Sequence, residues 1–511
     1  MMKDMQKAVN RIEKAIRKKE KILVYGDYDV DGTTSVALVY GFLSKFHPYI
    51  DFYIPDRQIE GYGISKLGID WAKNENVDLI IALDCGIKSN EMVDYAKKIN
   101  IDFIICDHHL PAGEIPAAVA VLDPKQNDCQ YPFKELSGCG IGFKLMHAFS
   151  IQNEIPLDFL YEFLDLVVVS IASDLVLMTG ENRILAYFGL EKLNRNPRIG
   201  LKALMEVSGF HRESTLEISN LVFTIGPRIN AVGRLTQGKK AVELLVSHNK
   251  EEAENFALNI NKTNYDRQDL DIISTQEAFK MVDLYKKNKP DLKSIIIYKE
   301  DWHKGIVGII ASRCVDKYHL PTIVLTLQDG KIAGSARSIP DFNMYEMLGR
   351  CADLLTEFGG HQQASGLAMP IENLEKFTNM FELVAENTLT PAMLIPPQDI
   401  DLKLELSEIT PKFYKILKQM APFGPENMRP IFSTENLTPL KVQIMKEKHL
   451  KFTVVEEKTG LSFVVVAFGL VDFYPELLKA KKVDLCYSIE ENTFQNKSSL
   501  QLRARDIRIF Y

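Results

Sequence analysis

The chain has 511 residues, of which 46% are hydrophobic and 25% charged, and its formal net charge is −7. This composition is typical of a globular protein with two to four domains, and the negative charge argues against binding of nucleic acid over the whole surface. Seven cysteines without CxxC spacing, no apolar run long enough to span a membrane and no signal-peptide pattern predict a cytoplasmic protein with reduced thiols.

The first quarter of the chain alternates between apolar strand patterns and amphipathic helix patterns. Parallel strands joined by helices produce this alternation, so it predicts an α/β fold with a doubly wound parallel sheet. The predicted strands are residues 21–25, 51–54, 78–83, 101–106 and 117–122.

Acidic side chains follow three of these strands at the point where each one ends. They are Asp27, Asp29 and Asp31 after the first strand, Asp84 after the third, and Asp107 with His108 and His109 after the fourth. Open α/β sheets bind their ligands at the carboxyl ends of the strands, so these side chains are expected to lie together. Asp174, which follows the apolar helical run 164–172, is a further candidate. The alternative is that each Asp caps the helix that follows it. Capping is a good explanation for a single Asp but a poor one for six of them at successive strand ends.

Carboxylates this close together repel one another unless cations neutralise them. Oxygen ligands with one imidazole suit Mn²⁺ or Mg²⁺, and Asp84 is the candidate to bridge two ions. A calcium loop of the EF-hand type does not fit, because a strand precedes the motif and Leu38 stands where a glutamate is needed.

The two histidines are expected to differ in role, because successive side chains of an extended segment alternate in direction. His108 is the predicted metal ligand, and His109 is predicted to face a phosphate or the water that reacts. Asp107 either orients an imidazole or binds metal itself.

The remainder of the chain predicts a helical extension, a long connecting helix, a second α/β domain and a terminal barrel. Residues 140–209 have helical periodicity, and residues 250–287 form a polar, heptad-like stretch between two lobes. Residues 401–511 contain short strand patterns and carry 17 Lys and Arg against 14 Asp and Glu, which favours a small oligonucleotide-binding (OB) barrel. The predicted domains are residues 1–245, 246–290, 291–392 and 393–511.

Three glycine-punctuated segments outside the acidic motifs are predicted to be loops that bind phosphate. They contain Arg228 and Arg234 in PRINAVGRL, Ser335 and Arg337 in GSARS, and His361 in GGHQQASG. Guanidinium groups bind phosphate through two parallel hydrogen bonds. Each segment by itself is equally compatible with ordinary surface arginines or a glycine-rich connector.

Together, the motifs GDYDVDG, LDCG, DHH and the Ser-Asp pair at 173–174, with the three segments above and APFGPEN at 421–427, occur in this order. In this the chain resembles the RecJ family of bacterial single-strand-specific exonucleases, within the DHH phosphoesterase superfamily, over almost its whole length. Tyr25 departs from the superfamily, in which many members have a ligand histidine at this position, and the family usually has a further short segment ahead of Met1.

The resemblance implies a 5′ to 3′ exonuclease that hydrolyses single-stranded DNA with two divalent ions, Mn²⁺ or Mg²⁺, in recombination and repair. It implies a channel between two lobes that admits one strand, a monomer, and a single-strand-binding protein and a helicase as partners. The catalytic motif would be Asp107, His108 and His109. The metal ligands would be Asp27, Asp29, Asp31, Asp84, His108 and Asp174. The residues that bind the strand would be Arg57, Arg228, Arg234, Ser335, Arg337 and His361.

Two other functions compete with this one. A phosphodiesterase that cleaves short oligonucleotides or cyclic dinucleotides needs only the two lobes, so the terminal barrel argues against it. An inactive DNA-binding scaffold has no need for a cluster of mutually repelling carboxylates.

Overall fold

The computed structural model describes residues 1–57, 59–210, 215–235, 238–328, 330–494 and 497–511, without the side chains of residues 234, 235, 493, 494 and 497. Among the helices that it describes, none combines the length and the apolar character needed to cross a bilayer.

The first domain contains a five-stranded parallel sheet, as predicted. Its strands are β1 (Ile22–Gly26), β2 (Ile50–Tyr53), β3 (Leu79–Leu83), β4 (Asp102–Cys106) and β5 (Ala120–Leu122). The spatial order is β2-β1-β3-β4-β5, so the strand order reverses beside β1 and β3. A crevice forms at such a reversal, outside the carboxyl ends of the strands, and two of the acidic motifs follow β1 and β3.

Helices cover both faces of this sheet because β1, β3 and most of β4 are buried throughout. They begin with α1 (Met5–Lys18), α2 (Val30–Leu43), α3 (Lys66–Asn74) and α4 (Asn90–Lys98). The helical extension follows, with α5 (Gly138–Gln152), α6 (Asp158–Tyr161), α7 (Leu164–Ser173), α8 (Gly180–Arg195), α9 (Ile199–Val207), α10 (Ile218–Asn220), a π-helical turn (Leu221–Ile225), α11 (Gly226–Leu235) and α12 (Lys239–Val246).

Helix α11 corrects the prediction of a loop around Arg228 and Arg234. The glycines of this segment allow close packing instead of a turn. A Cβ atom on Gly233 would lie 2.2 Å from the carbonyl oxygen of Tyr28, and one on Gly226 would lie 2.6 Å from Ser173 Oγ. The segment is therefore a helix pressed against two of the acidic motifs.

The predicted connecting helix is present as α13 (Lys250–Asn288), 39 residues and about 58 Å long. It packs against α9, α11 and α12 of the first domain and then against α14 and β6 of the second. One continuous helix therefore sets the spacing between the two lobes.

The second α/β domain has a mixed sheet, in which β6 and β7 are parallel and the other neighbours are antiparallel. Its strands are β6 (Ile295–Tyr298), β7 (Thr322–Gln328), β8 (Lys331–Arg337), β9 (Glu357–Gly360) and β10 (Ala364–Met369), in the order β6-β7-β8-β10-β9. Its helices are α14 (Val307–Tyr318), α15 (Met344–Gly349) and α16 (Leu374–Thr388). Ser335 and Arg337 thus lie on a strand, which corrects the prediction of a loop at GSARS, whereas His361 lies in the loop between β9 and β10, as predicted.

The terminal domain is a closed barrel, as predicted. Its elements are β11 (Leu402–Lys403), α17 (Pro411–Lys418), β12 (Phe432–Met445), β13 (His449–Val455), β14 (Ser462–Ala467), α18 (Tyr474–Leu477), β15 (Lys482–Phe494) and β16 (Lys497–Phe510). Strand β12 pairs with both β13 and β15, which closes the ring β12-β13-β14-β16-β15. Closure leaves fewer unpaired strand edges and encloses an apolar core that includes Phe452 and Tyr487.

Candidate metal centre

The imidazole of His108 lies among three carboxylates that come from distant parts of the sequence. Its Nε2 atom is 3.1 Å from Asp84 Oδ1, 3.7 Å from Asp31 Oδ2 and 3.6 Å from Asp174 Oδ2. Asp31 stands in the first turn of α2, Asp84 follows β3, and Asp174 ends α7. The crevice at the strand ends thus brings together four of the six residues that the sequence proposed as metal ligands.

Two overlapping groups of side chains have ligand atoms close enough to hold a cation. One contains Asp31, His108 and Asp174, and the other contains Asp84, His108 and His109; within each group the ligand atoms lie within 4.8 Å of one another. His108 belongs to both groups. The two groups thus overlap in one centre. Because a neutral imidazole nitrogen binds a single ion, the ligand shared by two ions would be a carboxylate, and Asp84 keeps that role as a prediction.

His109 corrects the expectation that the two histidines face opposite ways. Strand β4 ends at Cys106, so the alternation of an extended strand does not apply to the residues after it. The rings of His108 and His109 lie with their centroids 4.7 Å apart at an angle of 65°. Both imidazoles consequently reach the same centre.

Several buried polar atoms of the centre lack a partner among the described residues. Both carboxylate oxygens of Asp27 and the Nδ1 atom of His108 form no hydrogen bond to the described residues, and the polar contact described for Asp84 Oδ1 is the one with His108 Nε2. Burial, followed by the charge of Asp31, raises the pKa of Asp84 and of Asp174, and burial with the charge of Asp29 raises the pKa of Asp27. A cation bound here would favour the ionised carboxylates and supply the missing partner. The residues present therefore fit divalent ions.

The backbone holds Asp84 in a conformation that is unusual for a residue with a side chain. Its φ angle is 60°, in the left-handed region. Such strain costs of the order of 1–3 kcal/mol and persists where the surroundings enforce it, most often at functional sites. A Cβ atom on Gly138 would lie 2.7 Å from Asp84 Cβ, so the start of α5 is packed directly against this side chain.

Asp31 is held in place by the amino terminus of α5. Its Oδ2 accepts a hydrogen bond from the Gly138 amide at 2.7 Å, and its Oδ1 accepts from the Cys139 amide at 2.8 Å and from Ser170 Oγ at 2.7 Å. Amides at a helix amino terminus favour a negative charge. The carboxylate is thus kept ionised and oriented, with lone pairs remaining for a cation.

Asp27 and Asp29 lie beside the two groups but belong to neither. Asp29 Oδ1 accepts from the Gly32 amide at 3.0 Å and caps α2, so the capping role weighed for each Asp applies to this one. Burial and the charge of Asp31 raise the pKa of Asp29. Asp27 is 1% exposed and unpartnered among the described residues, which leaves it the stronger candidate for a further ligand.

Asp107 orients the imidazole of His109, which is one of the two roles predicted for it; the other was to bind metal itself. Its Oδ1 lies 2.7 Å from His109 Nδ1 and accepts from the amides of His108 and His109, while its Oδ2 accepts from the Ile87 amide at 2.9 Å. Burial acts against ionisation, but the hydrogen bond and charge of His109 lower the pKa of Asp107 to about 2. The carboxylate therefore keeps the proton of His109 on Nδ1 and turns Nε2 toward the centre.

Sequence reasoning missed two residues of this region, Tyr62 and Asp123. The Tyr62 hydroxyl lies 3.1 Å from His109 Nε2. Asp123 is fully buried, its Oδ2 has no described partner, and burial raises its pKa to about 7. Asp123 follows β5, so the rule of acidic residues at strand ends would have found it, whereas Tyr62 has no comparable signal in the sequence.

Tyr25, the departure from the superfamily pattern, supports a loop instead of reaching the centre. Its hydroxyl donates to the Gly63 carbonyl at 3.1 Å and accepts from the Ser65 amide at 3.2 Å. Its ring stacks on Tyr53. Tyr25 consequently anchors the segment that carries Tyr62.

A cavity of about 360 Å³ lies between the two lobes beside this centre. Arg57 and Tyr62 line it from the first domain, and Gly308, Ser335 and Arg337 line it from the second. Arg337 Nη1 donates to Ser335 Oγ at 2.6 Å, and burial lowers the pKa of Arg337. Three of the residues predicted to bind a strand thus face one space.

The other predicted strand-binding residues lie elsewhere or outside the description. Arg228, 8% exposed, donates to Asn261 Oδ1 at 2.9 Å and to the Thr224 carbonyl at 2.8 Å. His361 is exposed, and burial together with the charges of Lys88 and His109 lowers its pKa, which places it near the centre. The side chain of Arg234 lies outside the described part of the structure.

Family models match all three domains. The DHH family, N-terminal domain, matches residues 21–171, the DHHA1 domain matches residues 291–387, and the RecJ OB domain matches residues 400–506. The fold and the centre therefore define a protein of the DHH class.

Relatives with the same domains narrow the class. The single-stranded-DNA-specific exonuclease RecJ of Bacillus subtilis is 37% identical over 512 residues, which cover 99% of this chain and 64% of that protein. RecJ of Salmonella typhimurium is 33% identical over 98% of this chain and 89% of its own length. The chain belongs to the RecJ family. It spans a little less than two thirds of the Bacillus relative.

Solved structures agree with this placement. The crystal structure of RecJ from Thermus thermophilus in complex with Mn²⁺ has a TM-score of 0.85 at 26% identity and covers 100% of this chain and 72% of its own. The structure of the same protein with Mg²⁺ has a TM-score of 0.80 at 25% identity, over 100% of this chain and 71% of its own.

Proposed function

We propose that the chain is a metal-dependent exonuclease that hydrolyses single-stranded DNA from the 5′ end. The observation that carries the proposal is the cluster of three carboxylates, Asp31, Asp84 and Asp174, within 3.7 Å of His108 Nε2. Support comes from relatives described as single-stranded-DNA-specific exonucleases and from related RecJ structures with Mn²⁺ or Mg²⁺. We place the reaction in DNA recombination and repair.

Two divalent ions, Mn²⁺ or Mg²⁺, would be held by Asp31, Asp84, His108 and Asp174, with Asp27 as a further ligand and Asp29 supporting the loop. Such ions supply the Lewis acidity that phosphodiester hydrolysis needs. His109 is assigned to the reacting phosphate or water, with its Nδ1 proton held by Asp107 and its Nε2 facing the centre. Asp107 is a positioning residue in this scheme.

The cavity between the lobes is assigned to the 5′-terminal phosphate of the strand. Arg57 and Arg337 offer guanidinium donors and Ser335 a hydroxyl, a set that suits a phosphate oxyanion. Tyr62 connects this cavity to the metal centre. It lines the cavity, and its hydroxyl lies 3.1 Å from His109 Nε2. His361, Arg228 and Arg234 would bind the strand beyond this point.

The barrel, residues 393–511 in the proposed division of the chain, is assigned to base stacking and electrostatic grip on the strand. The remaining domains would be residues 1–245, 246–290 and 291–392. We propose further that the protein is a cytoplasmic monomer that works with a single-strand-binding protein and a helicase. A phosphodiesterase dedicated to short oligonucleotides or cyclic dinucleotides is less favoured, because an enzyme for those substrates has no use for the OB barrel.

Digestion of single strands labelled at one end tests the proposal, with and without EDTA, for the wild type and for Asp84→Ala. Release of nucleotides from the 5′ end that needs a divalent ion is expected in the wild type alone. Asp128→Ala is the control, since Asp128 is an exposed partner of Lys3 that belongs to none of the acidic motifs. Cleavage in EDTA or full activity of Asp84→Ala would refute the assignment.

A further inference from the structure

The connecting helix α13 carries a polar strip that the assignments above do not use. Its members are spaced three or four residues apart, which places them on one face of the helix. They are Asn261, Asn264, Arg267 and Asp271, and they are joined by Arg228 of α11 and Arg313 of α14. The strip thus lies where both lobes meet the helix.

Arg267 lies near two other guanidinium groups, those of Arg228 and Arg313, and near the carboxylate of Asp271. Arg313 Nη2 donates to Asp271 Oδ2 at 2.6 Å, and Thr275 Oγ1 donates to the other oxygen at 3.1 Å. Asp271, which is 1% exposed, is the buried acidic residue of the strip, and its carboxylate is already paired with Arg313. Burial lowers the pKa of Arg267, which also feels the charges of Asp271, Arg313 and Arg228.

The remaining two arginines form no ion pair with a carboxylate among the described residues, although the charge of Asp271 acts on Arg267. Arg228 donates to a side-chain amide and to a backbone carbonyl and is also hydrogen-bonded to Tyr265. Arg267 Nε, which is buried, donates to no described atom. Among the described residues, the strip therefore has three guanidinium groups and one buried carboxylate, which is paired with Arg313.

Asn264, one helical turn before Arg267, shows that the strip is not a closed hydrogen-bond network. Its side chain is fully buried, and neither its amide nitrogen nor its oxygen has a described partner. Buried polar groups are normally paired in a folded protein. A polar ligand bound in this region could accept hydrogen bonds from Asn264 Nδ2 and Arg267 Nε, which have no described partner.

The strip is joined to the metal centre through α11. The Val30 amide, at the start of α2, donates to Asn230 Oδ1 at 3.1 Å, and Gly233 packs on the carbonyl of Tyr28. Arg228 therefore lies on the same short helix that supports the acidic loop after β1. Helix α11 in turn packs against α13, so it links the acidic loop to the strip.

We propose that Arg267, with Arg228 beside it, forms a second phosphate subsite that binds an internal phosphodiester of single-stranded DNA. The subsite rests on the proposed function and deepens it, because it adds a contact beyond the terminal phosphate held by Arg57, Ser335 and Arg337. Arg313 takes no part in binding. By holding Asp271, it keeps that carboxylate from pairing with Arg267 and leaves the guanidinium of Arg267 for phosphate.

Equilibrium binding of a fluorescent strand of about 20 nucleotides in EDTA tests the subsite without any cleavage. Arg267→Gln is expected to weaken binding about tenfold and to reduce the slope of log affinity against log salt by about 0.7, the value for one phosphate contact with a single strand. Lys262→Gln is the matched control, because Lys262 is an exposed cation on the same helix, and its loss should leave both quantities near those of the wild type. Arg267→Lys, which keeps the charge, should restore the slope but only part of the affinity.

Substrate length provides an independent readout of the same subsite. A 5′-phosphorylated strand that ends before the subsite cannot occupy it, so Arg267→Gln should cleave such a shortened strand as the wild type does and lose efficiency only on long strands. Wild-type affinity and salt slope in Arg267→Gln would overturn the subsite, as would a lower melting temperature with an unchanged slope, which indicates a structural role. Loss of binding in Arg267→Gln together with an inactive wild type would instead refute the proposed nuclease and leave the subsite standing.

Discussion

The two lobes satisfy their charged groups in opposite ways, at the buried metal centre of the first domain (the acidic wall) and around Arg337 of the second domain (the basic wall), which lines the cavity between them. On the first domain, Asp27 is buried with both carboxylate oxygens outside any hydrogen bond to the described residues, and the polar contact described for Asp84 Oδ1 is with His108 Nε2. On the second domain, Arg337 is provided with acceptors by its own strand, Ser335 Oγ and the Ala336 carbonyl. The acidic wall thus requires cations to complete it, whereas the basic wall is complete without them. This contrast assigns the chemistry to the first lobe and the grip on the substrate to the second.

The contrast is tested most severely at His108, which both groups of ligand atoms share. His108→Ala is expected to lower the cleavage rate by roughly 10³-fold or more, as loss of a main electrostatic group does. It should also abolish tight binding of Mn²⁺ in calorimetry. The exposed His248→Ala serves as the control. Normal binding of two ions by His108→Ala would remove the centre from the acidic wall.

A smaller effect is expected from Asp107, which acts on the acidic wall only through His109. Asp107→Asn should lower the cleavage rate by about 10- to 100-fold, the usual cost of losing a residue that orients a ligand. The hydrogen bond and charge of Asp107 help to raise the pKa of His109, against the effect of burial. The NMR titration of His109 should therefore move to lower pH in the variant. An unchanged titration would show that Asp107 does not orient this ring.

A substitution in the basic wall should raise KM for the strand and leave kcat nearly unchanged. Arg337→Gln is expected to raise KM for a long strand roughly tenfold, about 1.4 kcal/mol, because one of several donors to the phosphate is lost. The value of kcat should change little. Arg350→Gln is the matched control, since Arg350 pairs with Glu346 on the exposed surface of the same lobe. A fall in kcat with constant KM would place Arg337 in the chemistry.

The smallest effect concerns stability against pH in the metal-free protein. Burial raises the pKa of Asp27, Asp84 and Asp174, so their contribution to stability is complete below about pH 4 and is lost as the pH rises through the raised values. The melting temperature in EDTA should therefore fall as the pH rises over the range from about pH 4 upward. Added Mn²⁺ should raise it more at the alkaline end of this range. A melting temperature independent of pH would show that these carboxylates are neutralised within the protein.

Sequence patterns were sufficient for the parallel sheet, the connecting helix and the barrel, because each depends on a periodicity that local residues express. They were insufficient at the glycine-rich segments. Gly226 and Gly233 were interpreted as loop residues, but they are small because α11 packs against Ser173 and Tyr28, a constraint imposed by residues distant in sequence. Tyr62 was missed for the same reason, since its contact with His109 joins two loops.

The sequence by itself determined that acidic side chains would gather at one edge of a sheet, because parallel strands end at a common edge wherever hydrophobic runs are followed by polar residues. Only the tertiary structure decided which atoms meet there. It placed His108 among Asp31, Asp84 and Asp174, brought His109 to the same centre and left Asp29 as a helix cap. The reason is physical: a strand pattern specifies where a residue lies, but the direction of its side chain after the strand ends depends on packing and hydrogen bonds from other elements.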